Sequence, residues 1–392
     1  MRAYRFLNQV VKTCRNLSTV ATYRSAQSTK YYRYHLAGTV AGAVVLYHCY
    51  RNKVFAATTV KDGRARWMDD PITDIEALEK SPNSMRTKME LLLMRVQAEF
   101  CHALEEQDGE KKFHVDRWMR KEGGGGGGIT CVIQDSPVFE KGGCNISVLN
   151  GMLPPDAIAQ MRARGKDLPQ DKSLPFFVVG LSCVIHPKNP HVPTLHYNYR
   201  YFEVQKEDGS TVWWFGGGTD LTPYYLVEED VVHFHKTLKD ACDKNGNRGL
   251  YPKFKIWCDD YFHVKHRGQR RGVGGIFFDD FDQPNQEQAF QFVKSCAESV
   301  VPSYVPIVKK HKNDSYSYAE RQWQLLRRGY YTEFNLVYDR GTKFGLVTPG
   351  ARYESILMSL PLYAKWEYCH KVEPGSKEEK LVTVLKNPKD WV

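Results

Sequence analysis

The segment TLHYNYRYFEVQ, residues 194–205, spaces an imidazole, an amide and a guanidinium at alternate positions. Side chains on a strand point to opposite faces with period two. One face therefore carries Thr194, His196, Asn198, Arg200, Phe202 and Val204, and the other carries Leu195, Tyr197, Tyr199, Tyr201 and Glu203. His196, Asn198 and Arg200 in a row could move a proton, orient a polar group and grip a carboxylate through a fork of N–H donors. The preceding apolar run FFVVGLSCVIHP holds Ser182 and His186 at matching parity, so both could extend the same polar floor. Beyond the next turn, WWFGGGTDLTPYY sets Asp220 after three glycines, where a ligand can approach the backbone closely. On these residues alone, a tyrosine core behind a merely solvated polar face accounts for the pattern equally well.

A second stretch, KIWCDDYFHVKHRGQRRGVGGIFFDD (255–280), mixes aromatics, acids and arginines. Three readings compete. His266 with Asp279, Asp280 and Asp282 has the residue types of a metal site but not a compact ligand spacing. Interleaved Arg and aromatics suit an RNA surface. Arg–Asp pairs under a sheet, with a bulge at Gly272, Gly274 and Gly275, suit plain scaffold.

Charge weighs against nucleic acid. The protein has 392 residues and a net charge of +10, but residues 1–61 hold ten Lys or Arg and no Asp or Glu. The remaining 45 basic residues face 45 acidic ones, so the body is formally neutral and lacks a strong field for phosphates. The Arg-bearing, Ser/Thr-rich, acid-free start has the composition of a mitochondrial presequence. The apolar run that follows, Leu36–Tyr50, is short of the ~20 residues of a membrane span. Together they read as a two-part signal that stalls in the inner membrane and releases the protein outside it. Ten cysteines occur without a CxxC, which leaves zinc ribbons, thioredoxin-like pairs and cluster motifs without support.

The elements that must position these groups start near Asp70. Ser84 as a cap, then Met89, Leu92, Val96, Phe100 and Leu104, predicts an amphipathic helix. EGGGGGGIT (122–130) lacks the GK[ST] of a phosphate loop and predicts a flexible turn into a strand. Residues 194–205 and STVWWFGGG flank KEDG as a hairpin, and EFNLVYDRG reads as a further strand. EDVVHFHKTLKDACDK, NQEQAFQFVKSCAESVVPSYVPIVKKH, RQWQLLRRG and ESILMSLP read as helices. Strands and helices are segregated, without regular βαβ alternation, which predicts α+β with a largely antiparallel sheet.

Residues 255–280, with EGGGG, VFEKGGCNISVLNG, HPKNPHVPTLHYNYRYFEV, WWFGGGTDLTPYY, YPKFK, EFNLVYDRGTKFGL and ESILMSLPLYAKWEY, resemble the oxygen-dependent coproporphyrinogen-III oxidase family, in family order from about Met85 to Val392. The resemblance implies a large mainly antiparallel sheet flanked by helices on both faces, in a single catalytic domain spanning 70–392, with 1–69 a mitochondrial presequence and sorting segment. It implies oxidative decarboxylation of two propionates of coproporphyrinogen III to vinyl groups with O₂ as co-substrate, in haem synthesis, without a required cofactor or metal. It further implies a homodimer in the mitochondrial intermembrane space, with peripheral inner-membrane contact and no nucleic-acid partner. His196 matches the family's proton donor, Asp220 the acid beneath the macrocycle, and Arg200 a catalytic and substrate-binding arginine. Ser182, Asn198, Tyr199, Arg340, Gly350, Ala351 and Arg352 match substrate-contacting positions. None of the arginines of 255–280 receives a role.

The sequence departs from the family at Gln269, where Glu is common, and at Tyr330, where Arg is common. His186, His196, His235 and His266 match positions proposed as metal ligands in bacterial relatives. Ile356, Leu357 and Leu360 share a face that serves either the core or a dimer contact. A tetrapyrrole carrier without turnover is the rival from another class. It would not need Asp220 and His196 to converge on one cavity.

Overall fold

A computed structural model describes residues 66–121, 124–347 and 350–392; the leader, the apolar run Leu36–Tyr50 and the start of the glycine run lie outside the described residues. Seven strands make one sheet in the order β1 (His114–Met119), β2 (Gly125–Gln134), β3 (Phe139–Leu153), β4 (Leu174–Pro187), β5 (Thr194–Gln205), β6 (Thr211–Thr222) and, on the outer edge, β9 (Gly275–Phe281). Every neighbouring pair is antiparallel. A short ribbon of β7 (His263–Val264) and β8 (Gln269–Arg270) precedes β9.

The tyrosine face of β5 is core. Tyr197, Tyr199 and Tyr201 are fully buried: Phe100 of α2 (Met85–Asp108) meets Tyr197 edge-on at 5.2 Å, while Tyr199 and Tyr201 pack on Phe278 and Phe215. Burying an aromatic side chain of this kind stabilises the fold by roughly 1.5–3 kcal/mol. Ser84 caps α2 through its hydroxyl, as the sequence pattern predicts, and Gly109 ends it in the left-handed conformation. The long helix expected over 285–311 is instead α6 (Gln286–Glu298) and α7 (Val300–His311), divided at Ser299. Pro302, which has no N–H to give, falls in the first turn of α7, where none is needed.

The opposite face meets the end of α5 (Leu250–Tyr261) and α8 (Tyr318–Val337), while α3 (Pro155–Ala163) covers the Val204–Trp214 end through Ile158. The remaining helices are α1 (Ile75–Lys80), α4 (Glu228–Asn245), α9 (Arg340–Val347), α10 (Tyr353–Leu357) and α11 (Lys377–Lys386). Two expectations fail here. EFNLVYDRG is not a strand: 333–337 complete α8, whose Ser317–Glu320 capping box starts a helix that turns Tyr331, Phe334 and Asn335 inward. The glycine run is not merely a turn, because Gly125–Gly128 are strand residues of β2. A Cβ on Gly128 would lie 2.4 Å from the Trp118 ring, so glycine is what lets the indole fold over the sheet.

Burial also sets charge states. Arg328 on α8 is 0% exposed, pairs with Glu140, and donates to the Pro187 carbonyl at 2.7 Å. Burial drives the His186 and His235 imidazoles down, His235 to about 3. Both are therefore neutral when folded, whereas an unfolded histidine takes a proton near pH 6.5. Below that pH the unfolded state binds more protons, so stability falls as pH drops from about 6.5 towards 3. Denaturant midpoints at pH 7.5 and 5.0 should show this fall, with a shallower slope in His235→Gln; an equal slope would refute it.

Candidate active site

Antiparallel register aligns the polar residues of the second face. Asp116, Thr130, Asn145, Ser182, Asn198, Gly218 and Phe277 are successive partners across all seven strands. On one side of this row Arg200 is flanked by Gly180 and Gly216, and on the other His196 stands directly opposite Asp220. A Cβ on Gly216 would lie 2.6 Å from the Arg200 guanidinium, so the arginine lies flat across β6 only because that residue is glycine. The floor is broad and low, with small side chains at its middle.

Asp220 is the most constrained group on it. It is 2% exposed, takes His196 Nδ1–H at 2.6 Å on Oδ1, and takes Arg271 at 3.1 and 2.9 Å on its two oxygens. Burial pushes the Asp220 carboxyl up, but Arg271 and then His196 outweigh it and hold the group below the ordinary carboxylate range. With Asp220 ionised, Nδ1 of His196 carries the proton. Its Nε2 has no protein partner among the described residues, and the imidazole keeps 20% of its surface open. This aspartate–imidazole geometry leaves Nε2 free for proton transfer.

Arg271 is held as tightly. Its guanidinium lies 4.2, 4.5 and 4.9 Å from the ring centres of Phe262, Tyr331 and Phe334, and donates to Asn335 Oδ1 at 2.9 Å. Burial alone would lower its pKa; the adjacent Asp220 more than reverses that and keeps the cation.

A second cluster sits at the β5–β9 end. Asp279 binds Arg200 at 2.8 Å, with Arg340 at 3.7 Å and Arg164 at 3.8 Å. Burial raises the Asp279 carboxyl, but Arg200 pulls it below its usual value. Arg200 also donates to Asn198 Oδ1 at 2.7 Å, so its fork is divided between two acceptors. Arg340 is exposed and lies over the Tyr261 ring at 5.1 Å.

A profile of the coproporphyrinogen III oxidase family matches residues 88–391. The protein belongs to that family. It is 65% identical over 334 residues to the oxygen-dependent coproporphyrinogen-III oxidase of Drosophila melanogaster, covering 85% of each sequence. It is 61% identical over 327 residues to the mitochondrial enzyme of Homo sapiens, covering 83% of this sequence and 71% of the relative. The chloroplastic enzyme of Glycine max is 53% identical over 320 residues, covering 80% and 81%.

Within this member of the coproporphyrinogen oxidase family, the residues named from the sequence are partly brought together. His196, Asn198, Arg200, Ser182 and Asp220 share the floor. Gly350, Ala351 and Arg352 approach its far side, where Arg352 pairs with Asp116 on β1 and Ser355 Oγ meets Thr130 Oγ1 at 2.8 Å. Tyr199 is corrected: its side chain is buried on the opposite face, with its hydroxyl 2.6 Å from Thr219, so it can offer a ligand only backbone.

The four histidines do not converge. His186 bonds Thr194 and the Ser359 carbonyl, His235 bonds Tyr251 and the Val273 carbonyl, and His266 bonds Tyr338 and Glu333. Among the described residues no group of three His, Cys, Asp or Glu could hold a metal ion. The departures are accommodated locally. Gln269 accepts from Arg327 at 2.7 Å, and the Tyr330 ring lies between Arg267 at 4.2 Å and Arg327 at 5.0 Å.

Sequence reasoning missed Arg271 and the central place of Asp279. The available signal was HRGQRRGVGG itself: an arginine set between glycines and followed by an apolar strand is headed for the interior.

Asp220→Asn leaves Arg271 buried without a counter-charge. It should cost about 3–5 kcal/mol in denaturant unfolding. Asp220→Asn with Arg271→Met should recover much of that stability but not activity. A fully active double variant would make the pair purely structural.

Proposed function

We propose that this protein is an oxygen-dependent coproporphyrinogen-III oxidase that converts two propionates of coproporphyrinogen III into vinyl groups, giving protoporphyrinogen IX with release of CO₂. The observation that carries this reading is the ionised, buried Asp220 with His196 Nε2 open to a broad polar floor, in a protein 61–65% identical to enzymes of that name. Strands lie about 4.8 Å apart, so Asp116 to Asn198 alone spans roughly 19 Å, room for a flat four-ring macrocycle.

The substrate carries four propionates and four pyrrole N–H groups on an apolar ring. Arg200 and Arg340 hold carboxylates, each charged hydrogen bond contributing roughly 1.5–3 kcal/mol. Ser182, Asn198 and the backbone of Tyr199 line the ring's path, and the segment 350–352 closes over it. A carboxyl held as acidic as Asp220 is a weak proton acceptor. Its part is a fixed, buried negative charge that orients His196, which handles the proton. Loss of a pyrrole proton makes the ring electron-rich enough to add O₂. One C–H bond of the propionate and the bond to its carboxylate then break. A C=C bond forms, CO₂ leaves, and O₂ is reduced to the peroxide level. No metal or organic cofactor is needed in this scheme.

Residues 70–392 make the catalytic domain and 1–69 a presequence with sorting segment. This reading places the protein in the mitochondrial intermembrane space, in peripheral contact with the inner membrane. The three mammalian relatives, of Mus musculus, Rattus norvegicus and Homo sapiens, are named mitochondrial. No described helix is long and apolar enough to cross a membrane. A homodimer is supported by an exposed aromatic surface: Tyr353, Tyr363 and Trp366 are more than half exposed and Tyr368 is 99% exposed.

Aerobic incubation of coproporphyrinogen III with chelated protein should give vinyl product, read by fluorescence after oxidation. Tight binding without product would favour a carrier. His196→Ala should lower kcat by about 10²–10⁴-fold across pH; near-normal turnover would remove His196 from the reaction. Tyr363→Asp with Tyr368→Asp should halve the mass seen by light scattering, and an unchanged mass would place any dimer contact elsewhere.

A further inference from the structure

We infer that the C-terminal tail, residues 387–392, positions Arg271 for the reaction through Trp391 stacked on His235 and His235 bonded to the Val273 carbonyl. The inference rests on reading Asp220, His196 and Arg271 as the proton-handling centre.

Arg271 lies in the link between β8 and β9, outside any regular element. Four hydrogen bonds hold the backbone of this link. Arg271 N–H donates to the Phe262 carbonyl at 2.8 Å, Val273 N–H to Leu221 at 2.9 Å, and Leu221 N–H to Gly274 at 3.0 Å. The fourth comes from an imidazole: His235 Nε2–H donates to the Val273 carbonyl at 3.1 Å. Leu221 follows Asp220, so the same contacts set both partners of the ion pair. Gly274 has φ +86°, and a Cβ there would come within 2.5 Å of Asp259 Oδ1, so the link is pressed onto α5 without slack.

His235 is itself held from behind. Tyr251 donates to its Nδ1 at 2.9 Å, and Trp391 stacks on the ring at 6.1 Å with planes 27° apart. The tail carrying Trp391 is anchored twice more. The buried Lys255 ammonium, paired with Asp259 at 2.7 Å, donates to the Lys389 carbonyl at 2.8 Å. Arg270, the residue before Arg271, donates to the Lys386 carbonyl at 3.0 Å. The Lys389 ammonium lies 4.4 Å over the Trp391 ring and bonds Glu228 at 3.0 Å. These contacts join residues 386–391 to both ends of the Arg271 link. Trp391 and His235 are thus positioning residues.

Loosening the link moves Arg271 away from Asp220. The titratable groups facing that pair are His196 on β5, Tyr331 on α8, Cys258 on α5 and Asp339 after α8. Arg271 is the largest influence holding Asp220 acidic, so its retreat lets that carboxyl rise. Trp391→Ala and His235→Leu should therefore lower kcat about tenfold, less than the ~10²-fold that a full 1 Å misplacement can cost. KM should change little, and the acid limb of the kcat profile should move to higher pH. Trp391→Phe and His235→Gln, which keep the stack and the donor to Val273, should retain activity. Trp391→Leu serves if the alanine variant does not fold. Hydrogen exchange in 268–276 should accelerate in step with the loss of kcat.

A lower Tm with unchanged kcat and acid limb in Trp391→Leu and His235→Leu would overturn the inference. Arg271→Met is the control. If it shifts the acid limb and the tail variants do not, only the positioning role falls. If Arg271→Met also leaves kcat and the limb unmoved, the proton-handling reading falls with it.

Discussion

A charge pair sealed away from water, Asp220 with Arg271, sets the terms for the rest of this structure. Moving two such ions out of solvent costs several kcal/mol each, and their attraction compensates only when every remaining hydrogen-bonding direction is used well. The surrounding elements supply most of those directions, although Arg271 Nε has no hydrogen-bond partner among the described residues. α8 supplies Asn335, Tyr331 and Phe334, the end of α5 supplies Phe262, and β5 supplies His196. The helices on this face are thus located by electrostatics as much as by apolar contact. The tyrosine face of the same strand is ordinary core.

The floor beside the pair is polarised from edge to edge. Near β9, Arg200, Arg340 and Arg164 gather round the Asp279 carboxylate, with Arg164 held closer still by Asp280 at 3.2 Å. Towards β1 the Arg352–Asp116 pair stands beside a run of uncharged groups: Trp118 donates to Thr130, Thr130 to Asn145, and Asn145 to Ser147, at 2.7–3.0 Å. The two edges thus differ in kind, guanidiniums and carboxylates at one and mainly hydroxyls, an amide and an indole at the other.

Much of this is legible from strand parity. His196, Asn198 and Arg200 share a face because a strand alternates, and Ser182 joins them because the β4–β5 register is even. What stays hidden depends on contacts distant in sequence. The glycine run looks like a turn because nothing local says that Trp118 must lie on Gly128. Residues 333–337 have the β-rich look of a strand, yet they continue a helix begun sixteen residues earlier by a capping box. Family likeness puts Tyr199 among the ligand contacts, although its own parity puts its side chain on the buried face. Arg271 carries no visible role in the sequence because its partner lies 51 residues away and its setting is built by three separate elements.

The order of the strands bears on how the molecule comes together. β1 to β6 form a meander in which each strand lies beside its sequence neighbour, so these contacts close short loops and can form early. β9 joins only after two helices and a ribbon have intervened, and it is the strand that brings the Arg271 link to β6. Until then the Asp220 carboxylate belongs to an open sheet edge and stays hydrated. Desolvation of the acid and arrival of its cation are thereby one event, late in assembly, so a half-built molecule is spared an orphaned charge in its interior.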